Sequence, residues 1–343
     1  MRNQQPYLVF LDFFITMIGA FAIYSTNFIA YSNSIPIIGS LYGISIVIRG
    51  FLPLLVHKNW LFRNLPIVHL SFLFLVVTFA ILFNNIVLYL VGISVSLFLG
   101  MFTGSYVYNL EITWAKDLSE PSKFFSLVTG AEAFAFLVAP ILTYVTPDKI
   151  LFLSILLSLI TLAALFLFYF RYFGGVEIKP KFFSGEIAMV RKIAIITIIA
   201  SLNWFLQYLW MGMVFGLGLK QGVPDTLILG AIEGETILYM AIQFAINTRG
   251  LRSYARVNTG LALICIYAIM VALFVSLTFI MVNHLIFLLL LFSFAISSAV
   301  IEPLVDTLIS STDRASENST IILSFKSIGG GLGYALSSFL LAI

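Results

Sequence analysis

Apolar runs of about 20 residues recur along the whole chain, broken only by short polar clusters. At about 1.5 Å rise per residue, a helical run of that length matches the hydrocarbon thickness of a bilayer. Few alternatives survive this. In lipid every backbone N–H and C=O must be bonded internally, so a spanning chain is either helical or a closed barrel. Runs well beyond the roughly 10 residues of a barrel strand, without alternation, select the helix. Composition agrees. Of the 343 residues 61% are hydrophobic and 10% charged, and the mean hydropathy is +1.08, whereas soluble surfaces need roughly 25% charged residues. The fold class read from these features is an all-α integral membrane protein, whose first partner is the lipid bilayer.

Several chemistries are missing. The single cysteine, Cys265, lies inside an apolar run and reads as core filler. The three histidines, His57, His69 and His284, lie far apart, and none has a second His or Cys at ligand spacing, so no metal site is expected. No phosphate-binding loop, serine-hydrolase elbow or zinc-protease helix occurs. The chain therefore reads as a non-enzyme without a cofactor, and any energy it uses must come from a gradient or a partner. Asp12 in the first run, with no small-residue cleavage site behind it, predicts a retained first span rather than a removed signal peptide.

Cutting at polar clusters gives eleven spans, approximately 8–28, 36–56, 65–83, 86–109, 124–145, 149–171, 192–216, 225–246, 257–281, 284–305 and 321–343. With the N-terminus in the cytoplasm, 14 of the 18 Lys and Arg residues fall on inside segments. This predicts a multi-pass protein of the cell membrane with a cytoplasmic N-terminus and, eleven being odd, an outside C-terminus. The net charge of +3 is then topological bias and asks for no nucleic acid. The longest polar stretch divides the chain into a six-helix bundle (1–172), a central cytoplasmic loop (173–191) and a five-helix bundle (192–343). Features repeat across it at offsets of about 190 to 198 residues: Pro36 with Pro224, the basic loops around His57 and Arg249, Asn85 with Asn283. Parallel halves of this kind are typical of transporters.

At this point the chain resembles the major facilitator superfamily. The resemblance rests on Gly100 and Gly104 in the fourth span, the loop Lys116-Asp117-Leu118-Ser119-Glu120-Pro121-Ser122-Lys123, and Gly130 with Ala139-Pro140 in the fifth span. Asp313-Arg314 and Gly329-Gly330-Gly331-x-Gly333 echo them in the second half. The motifs are degenerate. Eleven spans are one fewer than that family's twelve, so a chain lacking the twelfth span is expected. The resemblance implies a two-bundle helical fold working by alternating access, with the second and eleventh spans, and the fifth and eighth, adjoining across the halves.

Charges inside spans cost about 2.5 to 3.5 kcal/mol near the bilayer centre and persist for a reason. Glu132 shares a face with Ala135 and Ala139, Glu233 a face with Gly230 and Gly234, and Lys326 a face with Gly330, Gly333 and Ser337, so each should point at protein. Glu235 is turned about 200° from Glu233. By helical rise Glu132 and Glu235 sit about 12 and 15 Å above the cytoplasmic edge, and the implied adjacency of their spans makes Glu132, Glu233 and Glu235 the proton-coupling candidates. Burial and a like-charged neighbour both favour the protonated form of a carboxyl. A lower layer about 5 to 10 Å above that edge holds Asp12, Arg49, Glu302 and Lys326, two anions and two cations able to form gate ion pairs. Tyr24, Asn203, Trp204, Gln207 and Tyr208 are the substrate-cavity candidates, since the resemblance puts the first and seventh spans on a central cavity. That cavity is expected to be poor in charge, with a small, uncharged or amphipathic substrate.

The leading functional reading is a secondary active transporter of a small molecule, coupled to protons. The alternative is a non-transporting or truncated membrane subunit or receptor of the same fold. The topology is directly testable: single-cysteine labelling at Lys181 and at Ile343 is expected to report opposite compartments, and labelling of both from the cytoplasm would require an even span count.

Overall fold

In the computed structural model of the chain, residues 8–17, 19–20, 24, 37–55, 104, 107–145, 191–251, 256–312 and 314–342 are described. Among them are nine helices: α1 (Leu8–Met17), α2 (Ile37–Leu55), α3 (107–115), α4 (Pro121–Val145), α5 (Arg191–Lys220), α6 (Asp225–Arg249), α7 (Val257–Ser276), α8 (His284–Ser310) and α9 (Ala315–Ala342). There is no strand among the described residues. Five helices, α4 to α8, are long and apolar enough to cross a bilayer, and the protein is a multi-pass membrane protein. The expected third and sixth spans, the loop at His57 to Arg63 and nearly all of the central loop lie outside the described residues.

Helix ends follow local chemistry. Pro121 opens α4, where its missing N–H costs nothing. Pro224 precedes α6 and Asp225 sits in its first turn, an acid at the positive end of the helix dipole. The Asn283 side chain accepts from the Leu285 N–H and caps α8. Gly250 ends α6 at φ 77°, its N–H donating to the Ile246 carbonyl, a conformation that favours glycine. Inside α8, Pro303 cannot donate to the carbonyl of Ala299 four residues earlier. Gln243 of α6 fills that vacancy, its Nε2 donating to the Ala299 oxygen at 2.5 Å, as lipid-embedded backbone requires.

The helix contacts put α9 between α5 and α2, α4 against α6, and α8 against α6, α7 and α4. Glycine makes the α9 contacts possible. A Cβ at Gly43 of α2 would lie 2.6 Å from the Ala335 backbone nitrogen, one at Gly331 2.6 Å from the Gly43 carbonyl oxygen, and one at Gly333 would run into the Phe205 carbonyl oxygen of α5. Such backbone-to-backbone approach is how helices associate where lipid removes the hydrophobic drive.

The two ends of the helices are tied differently. At the end where α4 begins and α6 stops, the Asn247 Nδ2 donates to the Lys123 carbonyl at 2.7 Å and the Leu251 N–H to the Ser122 hydroxyl at 3.0 Å. Nearby, Asn109 of α3 donates to Thr320 of α9 at 3.0 Å and accepts from Ser319 at 2.7 Å. At the opposite end buried Gln221 donates to the carbonyls of Leu277 and Ile280 and accepts from the Val282 N–H, clipping the α5–α6 turn to the α7–α8 turn. Large apolar side chains such as Phe244, Ile269, Leu289 and Phe339 are exposed, as a lipid-facing surface demands. Cys265 belongs with them: it is exposed on α7 rather than filling the core.

These contacts predict opposite outcomes for two glycine-to-alanine changes. Gly43→Ala is expected to destabilise by about 1 to 3 kcal/mol through overpacking. Gly230→Ala, with no atom within 4 Å of the added Cβ, should be neutral or stabilising by up to about 1 kcal/mol. Thermal unfolding in detergent is the measurement, and equal shifts would refute the close α2–α9 contact.

Candidate functional site

A cavity of about 280 Å3 lies among α1, α2, α3, α4, α5, α6, α8 and α9. Its most ordered feature is a buried ion cluster. The Lys326 ammonium lies 2.7 Å from a Glu302 oxygen and 3.4 Å from Asp306. The three side chains are 4%, 12% and 9% exposed, so the pairs are dry enough for their geometry to matter. Neutral donors complete much of the cluster. Asn203 Nδ2 and Trp204 Nε1 both donate to the other Glu302 oxygen, at 2.8 and 2.7 Å, and the Tyr108 hydroxyl donates to Asp306. Lys326 also lies over the rings of Tyr108 and Trp204, 5.1 and 5.7 Å from their centroids, where ring quadrupoles favour a cation.

Helix periodicity explains the grouping. Glu302 and Asp306 are one turn apart on α8, Asn203 and Trp204 are neighbours on α5, and Gly330, one turn beyond Lys326, leaves room for the stacked Trp204 and Tyr208 rings. Lys326, Glu302 and Asp306 all belong to the second half of the chain. The cluster reaches the first half through Tyr108.

A second carboxyl group lies across the cavity. Asp12 of α1 and Glu132 of α4 lie within hydrogen-bonding reach of each other. The other Asp12 oxygen, Oδ2, is buried without a partner among the described residues. Glu111 of α3 lies near both Glu132 and Asp306; it is buried, and its Oε1 has no hydrogen-bond partner among the described residues. Glu235 of α6 lines the cavity and is buried, with Thr236 beside it at 3.5 Å.

Several sequence expectations change here. The two layers inferred from helical rise share one cavity, because Asp12 meets Glu132 directly. Glu132 is thus set beside Asp12 rather than against a glutamate of the eighth span. Glu233 does not line the cavity, and both its carboxylate oxygens are buried without partners among the described residues. Arg49 lines the cavity with its Nε unpartnered, and makes no ion pair among the described residues. Tyr24, Trp204, Gln207 and Tyr208 all line the cavity, whereas Asn203 is fully buried and holds Glu302 instead. Nor is the cavity poor in charge. Six carboxyl side chains and two basic ones line it.

Three participants were missed from sequence: Tyr108, Glu111 and Asp306. The fourth and tenth spans were cut at residues 109 and 305, while α3 runs to 115 and α8 to Ser310. The available signal was the spacing of Tyr108 with Glu111, and of Glu302 with Asp306, at helical intervals.

Three solved structures share this architecture. The human organic anion transporter MFSD10 (TETRAN) aligns over 98% of this chain and 93% of its own, with 13% identity and a TM-score of 0.68. A bacterial homologue of the iron transporter ferroportin, in an outward-facing state, aligns over 98% and 91%, with 14% identity and a TM-score of 0.66. The E. coli fucose:proton symporter FucP aligns over 99% and 97%, with 14% identity and a TM-score of 0.62. The chain has the major facilitator superfamily fold. No family model matches the sequence, and no curated protein matches it. In this fold the α2–α9 and α4–α6 contacts are those that the sequence resemblance implied for the second and eleventh and the fifth and eighth spans.

The ion cluster yields a stability prediction. Lys326→Met leaves two buried carboxylates uncompensated and is expected to cost about 3 to 5 kcal/mol, most of it recovered when Glu302→Gln and Asp306→Asn are added. Unfolding in detergent reads both. A neutral Lys326→Met would mean that the cluster is wet.

Proposed function

We propose that the protein is a secondary active transporter of the cell membrane that moves a small molecule by alternating access and is coupled to protons. The observation that carries this reading is the cavity itself: helices from both halves of the chain build it, and hydrogen bonds tie those halves at one end. With the N-terminus in the cytoplasm, that end is the inner one, and the cavity serves the outside. The bundles at 1–172 and 192–343 then rock about the α2–α9 and α4–α6 contacts. Opening the inner end must break Asn109 from Ser319 and Thr320, Ser122 from Leu251, and Tyr108 from Asp306. The gate is therefore mostly neutral hydrogen bonds, with Asp306 as its charged member and Lys326 and Glu302 behind it; Arg49 and Asp12 border it from the first half.

Coupling is assigned to Glu132 with Asp12. Two facing carboxyls and a single proton between them form a site that can be loaded or emptied by one charge. Glu235 and Glu233 are the further acids on α6; of the two, Glu235 faces the cavity and is the one in position to exchange with it. Tyr24, Trp204, Gln207 and Tyr208 form the polar and aromatic wall against which a substrate rests.

Proteoliposomes test the coupling. For any solute of a labelled small-molecule panel that the wild type accumulates down a proton gradient, Glu132→Gln mimics the protonated acid at nearly constant shape. Driven accumulation should fall at least ~10-fold while counterflow exchange survives, because exchange does not require the proton to leave. Equal retention of both would remove Glu132 from coupling. A wild type that binds solutes yet moves none would favour a receptor of the same fold.

A further inference from the structure

The charge on the cavity wall is unbalanced in a way that specifies its ligand. Lys326 is committed to Glu302 and Asp306. Asp12 and Glu132 lie within hydrogen-bonding reach of each other and can share a proton. Arg49 lies near Tyr208. Glu111 and Glu235 remain, both lining the cavity and both at least nine-tenths buried, at 3% and 6% exposure. Glu111 Oε1 has no hydrogen-bond partner among the described residues. A buried acceptor without a donor is costly, and a buried carboxylate without a counter-charge more so. A donor carrying positive charge removes both penalties at once.

We infer that the cavity binds a small organic cation, a primary ammonium on an aromatic or apolar body, with Glu111 as its anchoring carboxylate and Glu235 of α6 as a second acid of the same lining that adds to its negative field. This rests on the transporter reading only in making that cation the transported molecule. The wall fits the body as well as the charge. Trp204 and Tyr208 stack at 5.7 Å between centroids, and Tyr24, Phe136 and Tyr239 complete an aromatic lining able to hold an ammonium by its ring faces. That surface already accommodates one ammonium, since Lys326 lies over the Trp204 ring. A bare metal ion fits less well: no three His, Cys, Asp or Glu side chains among the described residues converge as ligands, and hard cations demand such convergence. An anion would find Arg49 as its one uncommitted cation among the described lining residues, and would meet Glu111 and Glu235 as well, like-charge contacts that disfavour it.

Three ligands of similar shape separate the possibilities: phenethylamine as its ammonium, neutral phenylacetamide and anionic phenylacetate. Binding is measured on the purified full chain in detergent, by calorimetry and thermal shift. The wild type is expected to bind phenethylammonium at least ~10-fold more tightly than either other ligand, and Glu111→Gln to erase at least ~10-fold of that preference. Should Glu111→Gln fail to fold, Glu235→Gln must lower the same preference. Equal binding of the three overturns the inference, because protons alone would then be neutralising the wall; so does a preference for phenylacetate, or a folded Glu111→Gln and Glu235→Gln pair with full preference. Transport is read separately with radiolabelled phenethylamine in proteoliposomes. Cation-selective binding without gradient-driven uptake keeps the ligand class and overturns the transporter reading, whereas driven uptake of another solute without cation preference does the reverse.

Discussion

The close backbone approach of α9 to both α5 and α2 is the constraint on which the site depends. In lipid there is no water to drive helices together, so contact must come from fit. The run Gly329-Gly330-Gly331-x-Gly333 supplies it in two directions. Gly329 and Gly333 face the backbone of α5 at Ser201 and Phe205, while Gly331 faces α2 at Gly43 and Val47. A helix wedged this tightly cannot rotate. Lys326, one turn before Gly330, is thereby aimed at α8, where Glu302 and Asp306 wait at one-turn spacing. The glycines hold the angle of a charge they never touch.

An ammonium in such a place is expensive unless its surroundings are complete. Here two carboxylates provide its counter-charge, Asn203 and Trp204 donate to Glu302 and Tyr108 to Asp306, and two aromatic rings cover its flanks. So many shared partners make the cluster sensitive to movement. Because Tyr108 belongs to the first half of the chain, its bond to Asp306 joins the cluster to the part of the protein that must move if the halves rock.

The features legible in the sequence were those that local periodicity determines. Helix faces were readable: Glu132 with buried Ala135 and Ala139, and Lys326 with the glycines of α9. The fold was readable through the resemblance, and the second and fifth spans do meet the eleventh and eighth. Depth was not. Converting residue counts to heights assumes straight helices along the bilayer normal, whereas spanning helices are commonly tilted and α8 carries Pro303 beside Glu302. The two layers inferred that way turn out to line one cavity. Charge was misjudged for a related reason. A hydropathy cut ends a span at its first polar residues, so Glu111 and Asp306 were assigned to loops although helix α3 and the last turns of α8 carry them into the cavity. Asn203 faces the same general direction as Gln207, yet its amide is spent on Glu302, a partner no sequence pattern identifies.

The two carboxyl groups of the cavity differ in one physical respect. Glu302 and Asp306 have a covalently fixed counter-charge in Lys326, which cannot leave, so their role is to hold. Asp12, Glu111 and Glu132 are carried by α1, α3 and α4, and no fixed cation is bonded to any of them among the described residues. Their charge is thus open to neutralisation by something mobile. Protons and a ligand cation are the two species that can arrive from water, and both would use the same oxygens. The cavity is therefore asymmetric: on one wall a fixed ammonium holds two carboxylates, and on the other the carboxyls have no ion-pair partner among the described residues.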